Sequence, residues 1–226
     1  MAATDPRALR ADTGPNEPGT VRADARRSEP QGERADAQRN EPRALRADAQ
    51  RNRDRLLAVA ARAFSEDGPE VTLDSIVKEA GVGIGTLYRH FPTREALVEA
   101  TYRNELARLC DAAGDLLTEL PADQATRQWM DGFIDYMTTK RGMADALRAV
   151  VASGGDPFAE SLARLLRAVT TLLDAGATAG TIRADVQPGD VLASLSGVSL
   201  TAGEPAQRDQ ARRMLDLLMD GLRYRD

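Results

Sequence analysis

The sequence predicts an all-α protein in which a small helical N-terminal domain is followed by a larger helical domain. Hydrophobic residues make up 42% of the chain but aromatic residues only 4%, so the core must consist mainly of alanine, leucine and valine. That mixture favours helices over strands. Apolar residues also recur at helical spacing along most of the chain after Pro42, whereas only Thr181–Val186 is ambiguous between helix and strand.

Residues 5–52 contain a 12-residue repeat in four copies, and each copy carries a proline at the same place. A repeat that stacks on its neighbours needs an apolar face. The first three copies have only Leu9 and Val21 as large apolar residues, so we expect residues 1–42 to be a disordered extension. The extension is either a duplicated segment or an arginine-bearing arm that contacts phosphates, and its balanced charge weakens the second interpretation.

Four helices are predicted between residues 43 and 120. Glycine, proline and capping threonines bound four stretches in which apolar residues recur at helical spacing. In order, these helices run from a start between Arg43 and Asn52 to Glu66, from Thr72 to Gly81, from Ile84 to Phe91, and from Thr93 towards Leu120. The second helix has a buried stripe of Leu73, Ile76, Val77 and Ala80, and the third helix carries Ile84, Leu87, Tyr88 and Phe91.

Five more helices are predicted in the remainder of the chain, which we assign to the larger domain, residues 104–226. The short second helix of this group ends at Ser153-Gly154-Gly155, where glycine interrupts the helical pattern. The predicted helices are Asp123–Lys140, Met143–Ala152, Phe158–Ala175, Pro188–Leu200 and Ala206–Tyr224.

The second and third helices fit a helix-turn-helix, joined at Ala80-Gly81-Val82. This motif needs a sharp turn, which glycine permits, and apolar residues on the inner faces of both helices. It also needs small or polar residues on the outer face of its second helix, which enters a DNA major groove about 12 Å wide. The outer-face residues here are Gly83, Gly85, Thr86, Arg89 and His90.

The run from Val71 to Leu97, with its Gly-Thr-Leu-Tyr-x-His-Phe segment at residues 85–91, resembles the DNA-binding domain of the TetR family of transcriptional regulators. The resemblance covers about Arg53–Tyr102 and implies a three-helix DNA-binding domain, which we place at residues 43–103. The family often has serine at the position of Gly83, where the serine hydroxyl can cap the recognition helix and glycine cannot. It also often has lysine where Arg94 stands.

Seven residues are predicted to contact DNA, six of them implied by the resemblance and Arg89 chosen from its chemistry: Thr72, Gly85, Thr86, Tyr88, Arg89, His90 and Arg94. Thr72 and Arg94 would bind phosphates. Gly85 and Thr86 would face the major groove, and the two ring-bearing residues would pack against or bond to the DNA backbone. Arg89 is our candidate for reading a base, because arginine pairs bidentately with guanine. The alternatives are a core position for the tyrosine, a structural role for the histidine, and solvated surface charges for both arginines.

For the C-terminal half, the resemblance implies a helical ligand-binding and dimerisation domain whose last two long helices form the dimer. Methionine and aromatic side chains suit adaptable apolar pockets. The candidate ligand-binding residues are therefore Trp129, Met130, Phe133, Tyr136 and Met137, with plain core packing as the alternative. Apolar stripes give the candidate dimer interface, with an internal core stripe of a monomer as the alternative. These interface candidates are Val191, Leu195, Val198, Leu215, Leu218 and Leu222.

The predicted function is that of a DNA-binding transcriptional regulator. It would be a repressor that binds a palindromic operator as a homodimer and is released by a small apolar or amphipathic ligand. The alternatives are a helical protein-interaction module without DNA binding and an enzyme. The net charge of −5 arises within residues 104–226, so contacts with nucleic acid belong in the N-terminal half.

The remaining composition argues against enzymatic and metal-binding classes. With one histidine, His90, and one cysteine, Cys110, the chain lacks the residues for a multi-histidine or multi-cysteine metal site and for an internal disulfide. A serine-histidine-acid triad would have to use His90, which the DNA-binding domain occupies. Gly81-x-Gly83-x-Gly85 lacks the third glycine and the preceding strand of a dinucleotide-binding loop. We expect no cofactor and no membrane partner, and a cytoplasmic location.

Overall fold

The computed structural model describes the backbone of residues 31–202 and 205–223, and the side chains from Arg46 onward apart from Pro69 and Pro205. The chain divides at Ala44, and residues 45–226 form one compact unit. Over the described residues the fold is all-α, as predicted, and none of these helices is long and apolar enough to cross a membrane. The α-helices are α1 Gln31–Asp67, α2 Leu73–Ala80, α3 Ile84–His90, α4 Arg94–Glu119, α5 Ala122–Gly142, α6 Ala144–Ala152, α7 Ser161–Thr178, α8 Pro188–Thr201 and α9 Arg208–Leu222.

Helix α1 differs from the prediction at its start. The helix begins at Gln31, not between Arg43 and Asn52, so residues 31–42 of the expected disordered extension are helical. Alanine, arginine, glutamine and glutamate dominate this stretch and are all strong helix formers, which outweighs the interruption at Pro42. The rest of the expected extension, residues 1–30, lies outside the described part of the chain.

The core of the larger domain is centred on α4, which packs along both α5 and α7. Helices α8 and α9 pack against α5 and against each other. Tyr102 of α4, Phe133 of α5 and Leu172 of α7 are almost completely buried where these helices meet. Full burial of one such side chain stabilises the folded state by about 1.5–3 kcal/mol, so these contacts hold the bundle together.

The start of α7 also differs from the prediction, by three residues. Phe158 was expected to begin this helix, but its backbone N–H donates to the Asp156 carboxylate over 3.2 Å in a tight turn. Glu160 then adopts a left-handed conformation with φ of 60°, so the helix begins only at Ser161. As a result, Phe158 lies at the surface between α6 and α7 with 40% of its area exposed.

The ambiguous segment Thr181–Val186 does not form a strand. Ile182 makes a single antiparallel bridge with Arg223, in which the N–H of Arg183 donates to the carbonyl of Leu222 over 2.9 Å. This bridge ties the connection after α7 to the end of α9. Tyr224, the predicted last residue of α9, lies outside the described part of the chain.

Candidate nucleic-acid interface

Two threonine caps fix where the helices around the predicted helix-turn-helix begin. The Thr72 hydroxyl accepts a hydrogen bond of 3.1 Å from the Ser75 N–H, and the Thr93 hydroxyl accepts one of the same length from the Ala96 N–H. Each bond satisfies an amide that the first helical turn leaves unpaired. Thr72 is exposed, and its hydroxyl hydrogen can still be donated to a phosphate at the start of α2.

The turn between α2 and α3 depends on the conformation of Gly81. Its φ of 65° and ψ of 33° lie in the left-handed region, which glycine enters without steric cost. The N–H of Gly81 then bonds to the carbonyl of Lys78, and the N–H of Val82 bonds to that of Val77. These two bonds end α2 and turn the chain sharply into α3, as a helix-turn-helix requires.

Helix α3 is short and packs against the rest of the domain through few side chains. Leu87 is completely buried, and Phe91, just after the helix, is 3% exposed. The opposite side of the helix presents Gly85, Tyr88 and Arg89 to solvent. A helix anchored from one side, with small and polar groups on the other, has the shape that enters a major groove.

The other predicted contacts on α3 are less exposed. Thr86 and His90 are half-buried, and the His90 ring lies 6.1 Å from the Phe91 ring. Gly83 precedes α3 without a side-chain cap, as expected from the absence of a hydroxyl.

Arg94, the predicted phosphate clamp, makes contacts within the protein. Its Nη1 donates a hydrogen bond of 2.6 Å to the carbonyl of Val71, and its guanidinium lies 5.7 Å from the centre of the Phe64 ring. Arg94 therefore ties the start of α4 to the end of α1 and to the segment before α2. The long side chain reaches inward because the α1–α2 connection leaves the Val71 carbonyl within its range.

Two residues of this surface were not among the predicted contacts. Ile84, one of the apolar residues of the predicted third helix, is 41% exposed at the start of α3. Arg53 of α1 lies with its guanidinium 5.6 Å from the centre of the Phe91 ring and lines a 440 Å³ surface cavity together with His90. The only sequence signal for Arg53 is its charge just before the apolar stripe of α1.

The comparisons with known proteins agree with this geometry. The model of bacterial regulatory proteins of the tetR family matches residues 56–101, and the model of the C-terminal domain of SbtR-like transcriptional regulators matches residues 121–224. A TetR transcriptional regulator from Streptomyces coelicolor is 58% identical, with a TM-score of 0.75 over 77% of this chain and 99% of its own.

The chain belongs to the TetR family. A TetR regulatory protein from Mycobacterium vanbaalenii is 36% identical, with a TM-score of 0.66 over 80% of this chain and 99% of its own. No curated protein matches the chain. Membership of the TetR family makes the chain a DNA-binding transcriptional regulator with a helix-turn-helix and not an enzyme.

The predicted ligand residues of this TetR protein lie mainly in the core. Trp129, Met130 and Phe133 are at most 2% exposed, and the Trp129 Nε1 donates to the carbonyl of Leu109 over 2.8 Å. Tyr136 donates a hydrogen bond of 2.8 Å to the Tyr102 hydroxyl, and burial raises the pKa of the Tyr136 phenol above its ordinary value of 10.0. These four side chains fill the space between helices.

Met137 is the member of the predicted ligand set that lines a large apolar cavity, with a volume of about 670 Å³. The cavity lies between the last turn of α5, helix α6, Phe158 and the end of α8, so the pocket is displaced from the predicted aromatic cluster. Large apolar side chains indicate buried positions, but they do not distinguish a filled core from an open cavity.

The predicted dimer residues also face inward. Leu195 and Leu215 are completely buried within the subunit, Val191, Val198 and Leu222 are at most 6% exposed, and Leu218 is half-buried. The large apolar side chains that α8 and α9 expose are Leu200 and Leu217, with 79% and 72% of their areas exposed. The apolar stripes therefore pack the two helices onto the rest of their own chain.

Proposed function

We propose that this TetR-family regulator is a repressor that binds a palindromic operator as a homodimer through α3. The observation that supports the proposal is the exposed side of α3, where Gly85, Tyr88 and Arg89 are presented by a helix anchored at Leu87. Small residues let the helix approach the bases, and Arg89 reads a guanine through two hydrogen bonds. Since its target is DNA, the protein acts in the cytoplasm.

Binding of the protein to the DNA upstream of its own gene tests DNA recognition. Fluorescence anisotropy at fixed salt compares that duplex with a scrambled duplex, because only the difference between them reports base recognition. Arg89→Ala should lower the affinity for the operator by about 1–3 kcal/mol, or roughly 5- to 150-fold, and should leave the scrambled duplex nearly unchanged. Arg108→Ala, which removes an exposed arginine of α4, is the matched control.

A protein that binds both duplexes equally would contradict the proposal. So would an Arg89→Ala variant that weakens both duplexes to the same extent, because Arg89 would then contact phosphates only.

The dimer is proposed to form through the exposed face of α9 that carries Leu217. Leu217 is the large apolar side chain of α9 that is left in solvent, and its neighbourhood includes the small residue Gly221, which lets a partner helix approach closely. Leu217→Glu should produce monomers in sedimentation velocity, because a buried unpaired carboxylate is costly. Leu162→Glu changes a leucine of α7 that is 66% exposed, similar to Leu217, and should leave the dimer intact. A Leu217→Glu protein that remains dimeric would exclude this interface.

Release from DNA by a small apolar or amphipathic ligand completes the proposal. A ligand weakens DNA binding only as far as it prefers the non-binding state, and a typical coupling is about 1–3 kcal/mol. Operator DNA must then weaken the binding of the ligand by the same factor. Titrating the ligand with and without the operator, and the operator with and without the ligand, measures both effects. Ligand binding that leaves operator affinity unchanged would refute release.

A further inference from the structure

The cavity beside α6, which we call the α6 groove, combines apolar walls with exposure to solvent. Val151 of α6, Phe158 and Leu200 line it, and they are 48%, 40% and 79% exposed. These three belong to the few large apolar side chains that the described part of the chain leaves in solvent. Apolar side chains clustered at the surface mark interaction sites, and a volume of about 670 Å³ falls within the usual range for small-molecule pockets.

The charged groups of the α6 groove are all cationic. Lys140, Arg141 and Arg148 line the groove, and its lining includes no aspartate or glutamate. Arg148 is paired with Asp145, and Arg141 donates to the carbonyl of Ser199 over 2.5 Å. The groove therefore carries a positive potential next to apolar walls, which favours an anion that also has an apolar part.

Lys140 provides the point at which an anion would bind. Its ammonium lies 5.0 Å from the centre of the Phe158 ring and 5.8 Å from that of the Tyr102 ring. Among the described residues, no carboxylate forms an ion pair with Lys140. Lys140 is half-buried, and the aromatic faces attract its cation but leave its hydrogen-bond donors for an acceptor such as a carboxylate.

We propose that the α6 groove binds a carboxylate with an apolar tail, its head group on Lys140 and its tail along Leu147, Val151 and Leu200. The proposal rests on the proposed function, because this molecule would be the ligand that releases the repressor. The apolar walls bind the tail whatever the details of its structure, because apolar contacts are not directional. The ammonium of Lys140 selects a negative head group over a neutral one.

The last turn of α5 connects the α6 groove to the DNA-binding domain. One side of this turn places Met137 and Lys140 in the groove. On its other side the Thr139 hydroxyl lies 2.6 Å from the Ser65 hydroxyl of α1, and Gly142 lies against the carbonyl of Phe64. A tail that enters the groove and displaces this turn therefore also displaces the end of α1, on which the DNA-binding domain is built.

Calorimetry with dodecanoate as the probe, at concentrations where it is monomeric, tests the assignment on the full chain. Wild-type protein should bind dodecanoate at least tenfold more tightly than dodecanol, and acetate should not bind. Lys140→Met keeps an apolar side chain and removes the charge, so it should lose this tenfold preference, whereas Lys140→Arg should retain it. Lys78→Met removes the chain's other lysine, which is exposed on α2, and this variant should bind dodecanoate like wild type.

Equal binding of dodecanoate and dodecanol would overturn the proposal, as would wild-type binding by Lys140→Met. The proposal also fails if wild type binds no dodecanoate, and a Val151→Asp change that then turns a dimer into monomers would show that a second copy of the chain covers the groove. Operator affinity is measured separately. Lys140-dependent binding that leaves operator affinity unchanged supports the groove and refutes ligand release, whereas a protein that does not recognise an operator refutes the proposed function alone.

Discussion

The contact between Gly142 and α1 allows a direct test of how the larger domain is joined to the DNA-binding domain. A Cβ added at Gly142 would lie 1.8 Å from the carbonyl oxygen of Phe64 and 2.8 Å from its carbonyl carbon. Both atoms belong to the backbone, so no side-chain rotation relieves the clash. In Gly142→Ala the ends of α1 and α5 must separate by about 1.6 Å before the contact reaches the ordinary range, which begins at 3.4 Å.

The expected cost follows from this overpacking. Forcing one methyl group into a packed contact typically costs about 1–3 kcal/mol. For a chain of this length, 1 kcal/mol lowers Tm by about 2–4 °C, so Gly142→Ala should melt roughly 2–12 °C below wild type. Because the displaced helix end carries the DNA-binding domain, operator affinity should also change.

Gly132→Ala is the matched control, since it makes the same substitution within the same helix. A Cβ at Gly132 meets only the Leu109 Cδ1, at 3.5 Å, which is ordinary contact. Alanine is the better helix former by about 1 kcal/mol, so this variant should melt at or above the wild-type temperature. Thermal unfolding followed by circular dichroism at 222 nm compares the two variants. If Gly142→Ala is as stable as Gly132→Ala, the close approach of α5 to α1 does not exist in solution.

Three further predictions concern single elements of the fold. Thr72→Ala and Thr93→Ala should each lower the free energy of unfolding, measured in urea, by about 1 kcal/mol, because each variant loses a helix cap. Only Thr72→Ala should also weaken DNA binding. Equal effects of the two variants on DNA binding would exclude a phosphate contact at Thr72. The raised pKa of Tyr136 means that the neutral phenol contributes stability below about pH 10 that is lost as the pH rises above it. Tyr136→Phe should lose less stability over that alkaline range, and parallel pH profiles would contradict this. Deleting residues 1–40 should leave Tm and operator preference almost unchanged, and a loss of about 2 kcal/mol or more would show that the repeats contribute to the folded core.

Local rules were sufficient to predict the helix boundaries that position α3. Thr72 and Thr93 cap their helices, and Gly81 ends α2 in the left-handed conformation, as the sequence indicates. Each of these features depends on one side chain and on backbone atoms within a few residues of it. No knowledge of the rest of the fold is needed to place them.

The direction in which an apolar stripe faces was not predictable in the same way. Helical periodicity identifies Leu195 and Leu215 as members of stripes, but it does not say whether a stripe meets its own subunit or another. The structure buries both within the subunit and leaves Leu200 and Leu217 exposed. The same limit explains why Trp129 was assigned to a ligand pocket, because residue size does not reveal whether neighbouring helices leave an open space beside it.

Residues whose role depends on distant contacts were the hardest to place. Arg94 was expected to bind a phosphate, and its contacts with the Val71 carbonyl and the Phe64 ring, 23 residues and 30 residues earlier in the chain, were not predicted. Nothing in the sequence around Lys140 marks it as a ligand contact, and only the packing of α5 against α4 and Phe158 places its ammonium beside an apolar groove.

Footprinting of the purified protein on the DNA upstream of its own gene tests most directly whether α3 reads DNA as part of a dimer. Two α3 helices related by a twofold axis must enter successive major grooves on one side of the duplex. The protected site should therefore be a palindrome whose half-sites lie about 34–36 Å apart, or a multiple of this distance. Arg89→Ala should raise the protein concentration needed to protect both halves by the same factor, roughly 5- to 150-fold. Protection of a single asymmetric half-site, or protection that Arg89→Ala leaves unchanged, would contradict a dimer that recognises its operator through α3.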